Sequence, residues 1–564
     1  MNLEQFIREP KTASSEVVTM TFLSKHLPAA SVSEQVARVL HAETGASVAL
    51  IRLVRPANGD TTKFLRERNL TLEKNFSLPA ELPRTDGGFH FLTVGQDGEL
   101  YRPEWIPSLV EQLRRRFRHV LIEVMADEVF TPSLFEFLLL SDSSYFFVQA
   151  ANEDVYHLDL LLRELRPRLD TSNVQLKPVL CLKENEMVDG YDTLIQRVAG
   201  QVHNFIRDCP KPENPVARPA GSFNADIRRL AREIGSCLVG LALSSGAAKG
   251  LSHIGVIQVL EENGIEVDIV AGSSMGAYIG AIWAFGNDGQ KLEKIAREME
   301  SPWAFWRLID PAFPPRQGFV HGNAVKKRLM KSIGHVRFAE LLRPLHVLAT
   351  NLETLERVTF SSGEVATAVH ASIAVPGICV PVTIDSETYI DGGIVDPLPT
   401  DVLREMGVRR IIAVNAIPTS DRIRYCLQAE RELAQLTKKR AREVMRKWIP
   451  LGQHLNYFAR GNILEILMRS IHGAQIRMAE SLERQADIVL RPQICEDTWL
   501  DIRDPGRFIK PGRQIAERYI LEIKALVERK VAKMNLLSEQ RQKSRETTVL
   551  CEQAERLWSQ QQRN

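Results

Sequence analysis

Cysteine is sparse. The seven present (Cys181, Cys209, Cys237, Cys379, Cys426, Cys495 and Cys551) form no C-x-x-C pair, so neither a disulfide framework nor a zinc site is indicated. A reducing compartment fits that usage. Charge imbalance is also missing: the formal net charge is +2 over 564 residues, which excludes a global field that would gather nucleic acid. No calcium loop and no His/Cys cluster is seen, so no metal and no cofactor is expected. The start, Met1-Asn2-Leu3-Glu4-Gln5, lacks the basic and apolar regions of a secretory leader. The longest uncharged run, Ile269 to Asn287, nearly reaches membrane-spanning length. Glycines and serines interrupt it, so it reads as a buried strand and helix, and no transmembrane helix is expected. These absences together give a cytoplasmic expectation, with room for peripheral contact at the inner membrane surface.

What is present centres on Gly272-Ser273-Ser274-Met275-Gly276. The residues before it, Val267 to Ala271, read as a buried strand, and those after it, Ala277 to Ala284, as a helix. G-x-S-x-G between strand and helix is the setting of a nucleophile elbow. Gly272 and Gly276 permit a turn too tight for side chains, which lifts the hydroxyl of Ser274 to the strand's C-terminal edge. One strand earlier, Ser236 to Leu243 runs into Ser244-Ser245-Gly246-Ala247-Ala248-Lys249-Gly250 and then a helix. Small residues at a helix start direct backbone N–H groups outward, which suits a phosphate or the oxyanion of acyl transfer. The elbow on the next strand favours the oxyanion hole, from Ser245, Gly246, Ala247 and Ala248. Lys249 is a candidate anion contact or an ordinary solvated side chain. Downstream lie Ala371-Ser372-Ile373-Ala374-Val375-Pro376-Gly377 and Asp391-Gly392-Gly393. The two glycines let the backbone pass closely by a neighbour while presenting the Asp391 carboxylate.

Glycine-rich loop, G-x-S-x-G, A-S-x-A-x-P-G and D-G-G occur here in the order found in patatin-like phospholipases. The resemblance runs from about residue 237 to 415 and resumes at Ala486 to Pro492 and at Gly512-Arg513. It is similar to bacterial patatin-like proteins and to the catalytic domain of neuropathy target esterase. The resemblance implies a three-layer α/β catalytic domain and a Ser–Asp dyad. Ser274 would be the nucleophile and Asp391 its base, with a phospholipid or lysophospholipid ester as substrate. The family's loop is G-G-G-x-[RK]-G; Ser245 and Ala247 replace two of its glycines. Donors survive both changes, but an Ala247 forced to positive φ would carry strain of about 1 kcal/mol.

The first 210 residues alternate strands (Val17–Phe22, Ser47–Val54, His119–Val124, Ser144–Val148, Val174–Leu182) with helices at Val32–Thr44 and Val155–Leu165. Such alternation implies a parallel sheet. The order resembles the ParA/MinD-like branch of P-loop ATPases. The phosphate loop's place holds Lys25-His26-Leu27-Pro28-Ala29-Ala30-Ser31, which lacks glycine and has Ala30 where that family has its second lysine. Glu123 sits at the usual place of a metal-side carboxylate, and is as easily an ordinary strand-end carboxylate. Without glycines the backbone cannot close around phosphates, and a degenerate scaffold is the preferred reading.

Six segments follow: 1–210 as this α/β domain, 211–235 as a linker, 236–420 as the catalytic core, 421–480 as a helical insertion, 481–515 as the end of the core, and 516–564 as a helical arm. The linker rests on four prolines between Pro210 and Pro219. The insertion carries Lys438-Lys439-Arg440 and then Trp448, Tyr457 and Phe458, a pattern suited to anionic lipid or to a solvated helix meeting a partner. Trp303, Phe305, Trp306, Phe313 and Phe319 are read as a loop over the pocket or a packing cluster, and the arm as a site of self-association. Three alternatives to the hydrolase dyad stand. One is a Ser-His-Asp triad using His454 or His472; another is a lipid-binding scaffold without turnover; the third is a nucleotide switch in the first domain.

Overall fold

The computed structural model describes residues 15–24, 27–54, 78, 81–95, 106–125, 132–149, 152–169, 174–182, 204–207, 221–301, 308–419, 424, 463–494 and 504–528. Lys25, Trp303, Phe305, Trp306, the basic-aromatic run 438–458 with His454, the proline-rich run 210–219 and the arm beyond 528 lie outside those residues. The chain divides into two compact units, Met1–Cys237 with Glu528–Asn564, and Leu238–Val527.

In the first unit the strands are β1 (Glu16–Phe22), β2 (Val48–Val54), β3 (His90–Gly95), β4 (His119–Met125), β5 (Ser143–Gln149), β6 (Gln175–Cys181) and β7 (Asn204–Ile206). They form one sheet in the order β3-β2-β4-β1-β5-β6-β7, and every pairing is parallel. Central β1 is buried on both faces: Val18, Met20 and Phe22 enter one core cluster while Val17, Thr19 and Thr21 are buried opposite. Helices α1 (Ala29–Thr44), α2 (Ile106–Arg116), α3 (Pro132–Leu140) and α4 (Asn152–Leu169) alternate with the strands. The sequence reading missed β3, whose short run is flanked by glycines, and it overran into α5 (Gly221–Ile234).

Residues 221–234 are therefore helix, not linker. Phe223, Ile227, Leu230, Ala231 and Ile234 recur at helical spacing and bury one stripe in the same cluster as α1. Buried Asp226 ties α5 to β7 by accepting from the Arg207 guanidinium at 2.7 Å, and Glu233 accepts from Lys177 at 2.7 Å. The prolines before residue 220 drew the end of the first domain too early, since the first unit runs to Cys237.

Glu123, the candidate metal-side carboxylate of this sheet, is paired within the chain. Glu123, at 3% exposure, takes both of its oxygens to Arg52 Nε at 2.9 Å and also accepts from Ser33 Oγ. Arg52 also donates to Glu34 at 2.8 Å. The carboxylate read as metal-side is thus committed to an internal cation.

The second unit is built on an eight-stranded mixed sheet. Its strands are β8 (Val239–Leu243), β9 (Ile269–Ser273), β10 (Leu345–Asn351), β11 (Arg357–Phe360), β12 (Val382–Ile384), β13 (Glu387–Asp391), β14 (Arg410–Val414) and β15 (Ile488–Leu490). The order is β12-β13-β10-β9-β8-β14-β15, with β11 beside β10. From β10 to β15 the pairings are parallel; β11, β12 and β13 pair antiparallel. The helices are α6 (Ser252–Glu262), α7 (Met275–Ala284), α8 (Gly289–Arg297), α9 (Asn323–Ile333), α10 (Val365–Ser372), α11 (Thr400–Glu405), α12 (Ile463–Leu482) and α13 (Gly506–Glu528). Val239, Leu241 and Leu243 of β8 pack into the core of α6, α7 and α13, while Leu238 and Ala242 meet Leu403 of α11 and Ile476 of α12. The expected three layers are present. The end of the 481–515 segment and the start of the arm form one helix, α13, pressed against α6. A Cβ on Gly512 would lie 1.9 Å from the Ser252 carbonyl oxygen, and one on Gly255 would lie 2.1 Å from that of Ile509. Among the described residues no helix is long and apolar enough to cross a membrane.

Candidate active site

Strand register brings the site together. Leu348 of β10 pairs with Ser273 on one side, and the next residue, Ala349, pairs with Asp391 on the other. The end of β9 and the end of β13 therefore sit level across a single strand. A Cβ on Gly392 would lie 2.2 Å from the Leu348 carbonyl oxygen, so only glycine lets the chain after Asp391 turn that closely over β10.

The elbow has the expected geometry. Ser274 adopts φ 54°, ψ −118° between β9 and α7, a conformation L-residues avoid and functional turns retain. Gly276 lies so near β8 that a Cβ would be 2.2 Å from the Leu243 carbonyl oxygen, and a Cβ on Gly272 would be 2.6 Å from the Gly276 carbonyl oxygen. Ser274 Oγ donates to Asp391 Oδ2 at 2.5 Å. The other carboxylate oxygen accepts from the Gly393 N–H at 2.7 Å. Asp391 is 4% exposed. Burial raises its pKa to about 6, against the pull of the bonds from Ser274 and Gly393. It is thus a far better proton acceptor than an exposed carboxylate, and it remains mostly ionised at neutral pH.

No imidazole stands between Ser274 and Asp391. His472 lies on α12, and burial, with Lys249 nearby, lowers its pKa to about 4. His253 is buried beneath the loop against the Ser244 carbonyl oxygen at 2.9 Å and is also lowered to about 4, chiefly by burial.

The loop differs from the sequence reading in one respect. The Ser245 N–H donates to the Pro397 carbonyl oxygen at 2.9 Å, so that donor is committed to the fold. The N–H groups of Gly246, Ala247 and Ala248 make no hydrogen bond, and Ala247 and Ala248 line the same cavity as Ser274. Ala247 adopts φ 48° and opens a short 3-10 turn, Ala247–Leu251, that leads into α6. The strain anticipated at Ala247 is therefore present, at about 1–2 kcal/mol. Lys249 is half-buried in that turn.

Two supports escaped the sequence reading. The Ser274 N–H donates to Ser372 Oγ at 2.9 Å, and the Asp391 N–H donates to the Ala374 carbonyl oxygen at 2.9 Å. One segment, Ala371 to Gly377, thus holds the backbones of both residues. Its motif was visible, but a hydroxyl accepting from a backbone 98 residues away has no local signature. Besides these supports, the N–H of Met275 is unbonded at the start of α7 and lies beside the same cavity.

That cavity has a volume of about 460 Å³. Its walls come from α7 (Tyr278, Ile279, Ile282), α8 (Leu292, Ile295) and the segment 308–325 (Ile309, Phe319), and are almost wholly apolar. Among the described residues no group of three or more His, Cys, Asp or Glu is placed to hold a metal ion.

Residues 241–404 match the family model described as patatin-like phospholipase. Lysophospholipase NTE1 of Kluyveromyces lactis is 27% identical over 325 residues, covering 57% of this chain and 21% of that protein. Its counterpart in Saccharomyces cerevisiae is 27% identical over 309 residues, covering 54% of this chain and 18% of that protein. The chain thus spans about a fifth of the length of these curated relatives. Among solved structures, the MinD cell division protein of Aquifex aeolicus matches at 17% identity and a TM-score of 0.31, covering 39% of this chain and 97% of that one. The stretch holding the loop, the elbow and Asp391 is therefore the stretch that matches the patatin-like phospholipases.

Proposed function

We propose that the second unit is a serine lipid acyl hydrolase working through Ser274 and Asp391 by way of an acyl-enzyme. The observation that carries this reading is the 2.5 Å hydrogen bond from Ser274 Oγ to a buried carboxylate beside an apolar cavity. Ser274 Oγ attacks the ester carbonyl as its proton passes to Asp391 Oδ2. The oxyanion that forms takes hydrogen bonds from the free N–H groups of Gly246, Ala247 and Ala248. The C–O bond breaks, and the departing alcohol takes the proton from Asp391. Water then attacks the acyl-serine, gives its proton to Asp391, and the acid leaves as Ser274 Oγ regains a hydrogen. Lys249 supplies positive charge near the headgroup of an anionic or zwitterionic lipid.

Cavity size favours a single acyl chain. At about 460 Å³ the cavity lies in the range of pockets that bury one small ligand. A lysophospholipid fits that volume better than a two-chain lipid, in keeping with the lysophospholipase relatives. The direct Ser274–Asp391 bond speaks against a Ser-His-Asp triad. The unoccupied loop donors speak against a scaffold without turnover.

Turnover of a panel of lysophospholipids, diacyl phospholipids and neutral esters tests the reading. Monoacyl substrates are expected to be cleaved about tenfold or more faster than diacyl ones, and Ser274→Ala to be inactive on all. Undiminished hydrolysis by Ser274→Ala would refute the mechanism; a preference for diacyl lipids would refute the assignment of the cavity.

A further inference from the structure

Residues 311–320 form a small hairpin. Pro311 bridges Val320, and the Ala312 N–H donates to the Phe319 carbonyl oxygen at 2.9 Å. Its base is fixed from two sides. Asp310 accepts from the Gly322 and Ala324 N–H groups at 2.9 and 3.1 Å. The Phe319 and Val320 N–H groups both donate to the Ile378 carbonyl oxygen, at 2.8 and 3.0 Å. Legs and tip differ sharply in surroundings. Ile309, Phe319 and Val320 line the cavity beside Ser274. Phe313, at the tip, is 95% exposed, the most exposed large apolar side chain among the described residues. Pro311, Pro314, Pro315 and Arg316 surround it, all exposed.

A clamped hairpin that holds a phenyl ring in water gains nothing for the fold. It pays the exposure of a large apolar group with no packing in return. Arg316 puts a cationic group at the tip, and the helix that follows in sequence, α9, exposes Lys327 and Lys331 one turn apart. Among the described residues none of the three meets a carboxylate. An aromatic ring with basic side chains is the composition that settles at an anionic head-group boundary.

We infer that the 311–320 hairpin seats the protein on an anionic phospholipid surface, with Phe313 entering the interface beside the cavity that receives the acyl chain. The inference rests on the acyl-pocket reading for its purpose but not for its test, because binding is read without turnover. Continuity of tip and cavity wall argues for lipid over a second copy of the chain: the substrate's own chain leaves such a surface.

Full-length protein is sedimented with phosphatidylcholine vesicles, with and without phosphatidylglycerol, alongside Phe313→Asp, Phe313→Trp and Arg316→Glu. Native protein and Phe313→Trp are expected to bind the anionic vesicles, and Phe313→Asp to bind them about tenfold or more weakly. Arg316→Glu is expected to lose the preference for phosphatidylglycerol. Thermal melts check folding, and if Phe313→Asp fails to fold, Arg316→Glu decides. Where esterase activity exists, Phe313→Asp is expected to cleave a water-soluble short-chain ester at the native rate. Native protein that ignores both vesicle types, or a folded Phe313→Asp that binds as native, overturns the inference. So does a Phe313→Asp that only converts an oligomer to a monomer, which would make the tip a contact between copies.

Discussion

Asp391→Asn is expected to abolish ester turnover and yet make the protein more stable. The native carboxylate is held at a pKa of about 6, against an ordinary 3.8, because it is buried. The folded state therefore binds the proton more tightly than the unfolded one, and native stability falls as pH rises from about 4 to about 6. Above that window the buried charge costs roughly 2–3 kcal/mol. Asparagine keeps the shape and the acceptor for the Gly393 N–H but carries no charge. The variant's advantage in thermal or denaturant unfolding should be about 2 kcal/mol at pH 8 and vanish below about pH 4. Turnover should fall by about 10⁴-fold or more, since the proton of Ser274 Oγ has no acceptor. Native turnover should rise with pH through about 6 and level off once Asp391 is ionised. Equal stability of the two proteins at pH 8, or a native profile flat from pH 5 to 8, would contradict this account.

Gly276→Ala is expected to damage fold and activity together. Its Cβ would lie 2.2 Å from the Leu243 carbonyl oxygen and 2.7 Å from that of Ser244, both backbone atoms of the strand end that leads into the Ser245–Ala248 loop. No side chain can rotate away, so either α7 or β8 must move. A cost of about 3 kcal/mol or more is anticipated, in the range of severe core substitutions. Gly363→Ala is the control. Its φ is +82° with nothing within 4 Å of the added carbon, so only the left-handed backbone penalty of about 1 kcal/mol applies. Chemical denaturation of both variants checks the difference. A Gly276→Ala protein as stable as Gly363→Ala would mean that the elbow packs less tightly against β8 than the geometry requires.

Much of this site was legible because its constraints are local. A strand, two glycines around Ser274 and a helix announce a turn that no other composition makes, and Asp391-Gly392-Gly393 announces a carboxylate beside a close backbone approach. The parallel sheet of the first unit was legible from a different pattern: strands alternate with helices along the chain. What failed was non-local. That Ser245 spends its N–H on Pro397 depends on a segment 152 residues away. That Ser372 accepts from the elbow depends on how α10 crosses β10. Residues 221–234 read as linker because prolines precede them, although Phe223, Ile227, Leu230 and Ile234 carry a helical stripe. Arg52 closing on Glu123 was hidden because a strand-end arginine has no pattern that names its partner.

The most direct test of the central claim is to trap the covalent intermediate. Native protein is mixed with a long-chain lysophospholipid, quenched in acid within the first turnover, digested and weighed by mass spectrometry. The account predicts one acyl group on the peptide containing Ser274, rising before free acid reaches its steady rate, and none in Ser274→Ala. Hydrolysis that proceeds with no acyl group on that peptide, or with the acyl group on another residue, would contradict it.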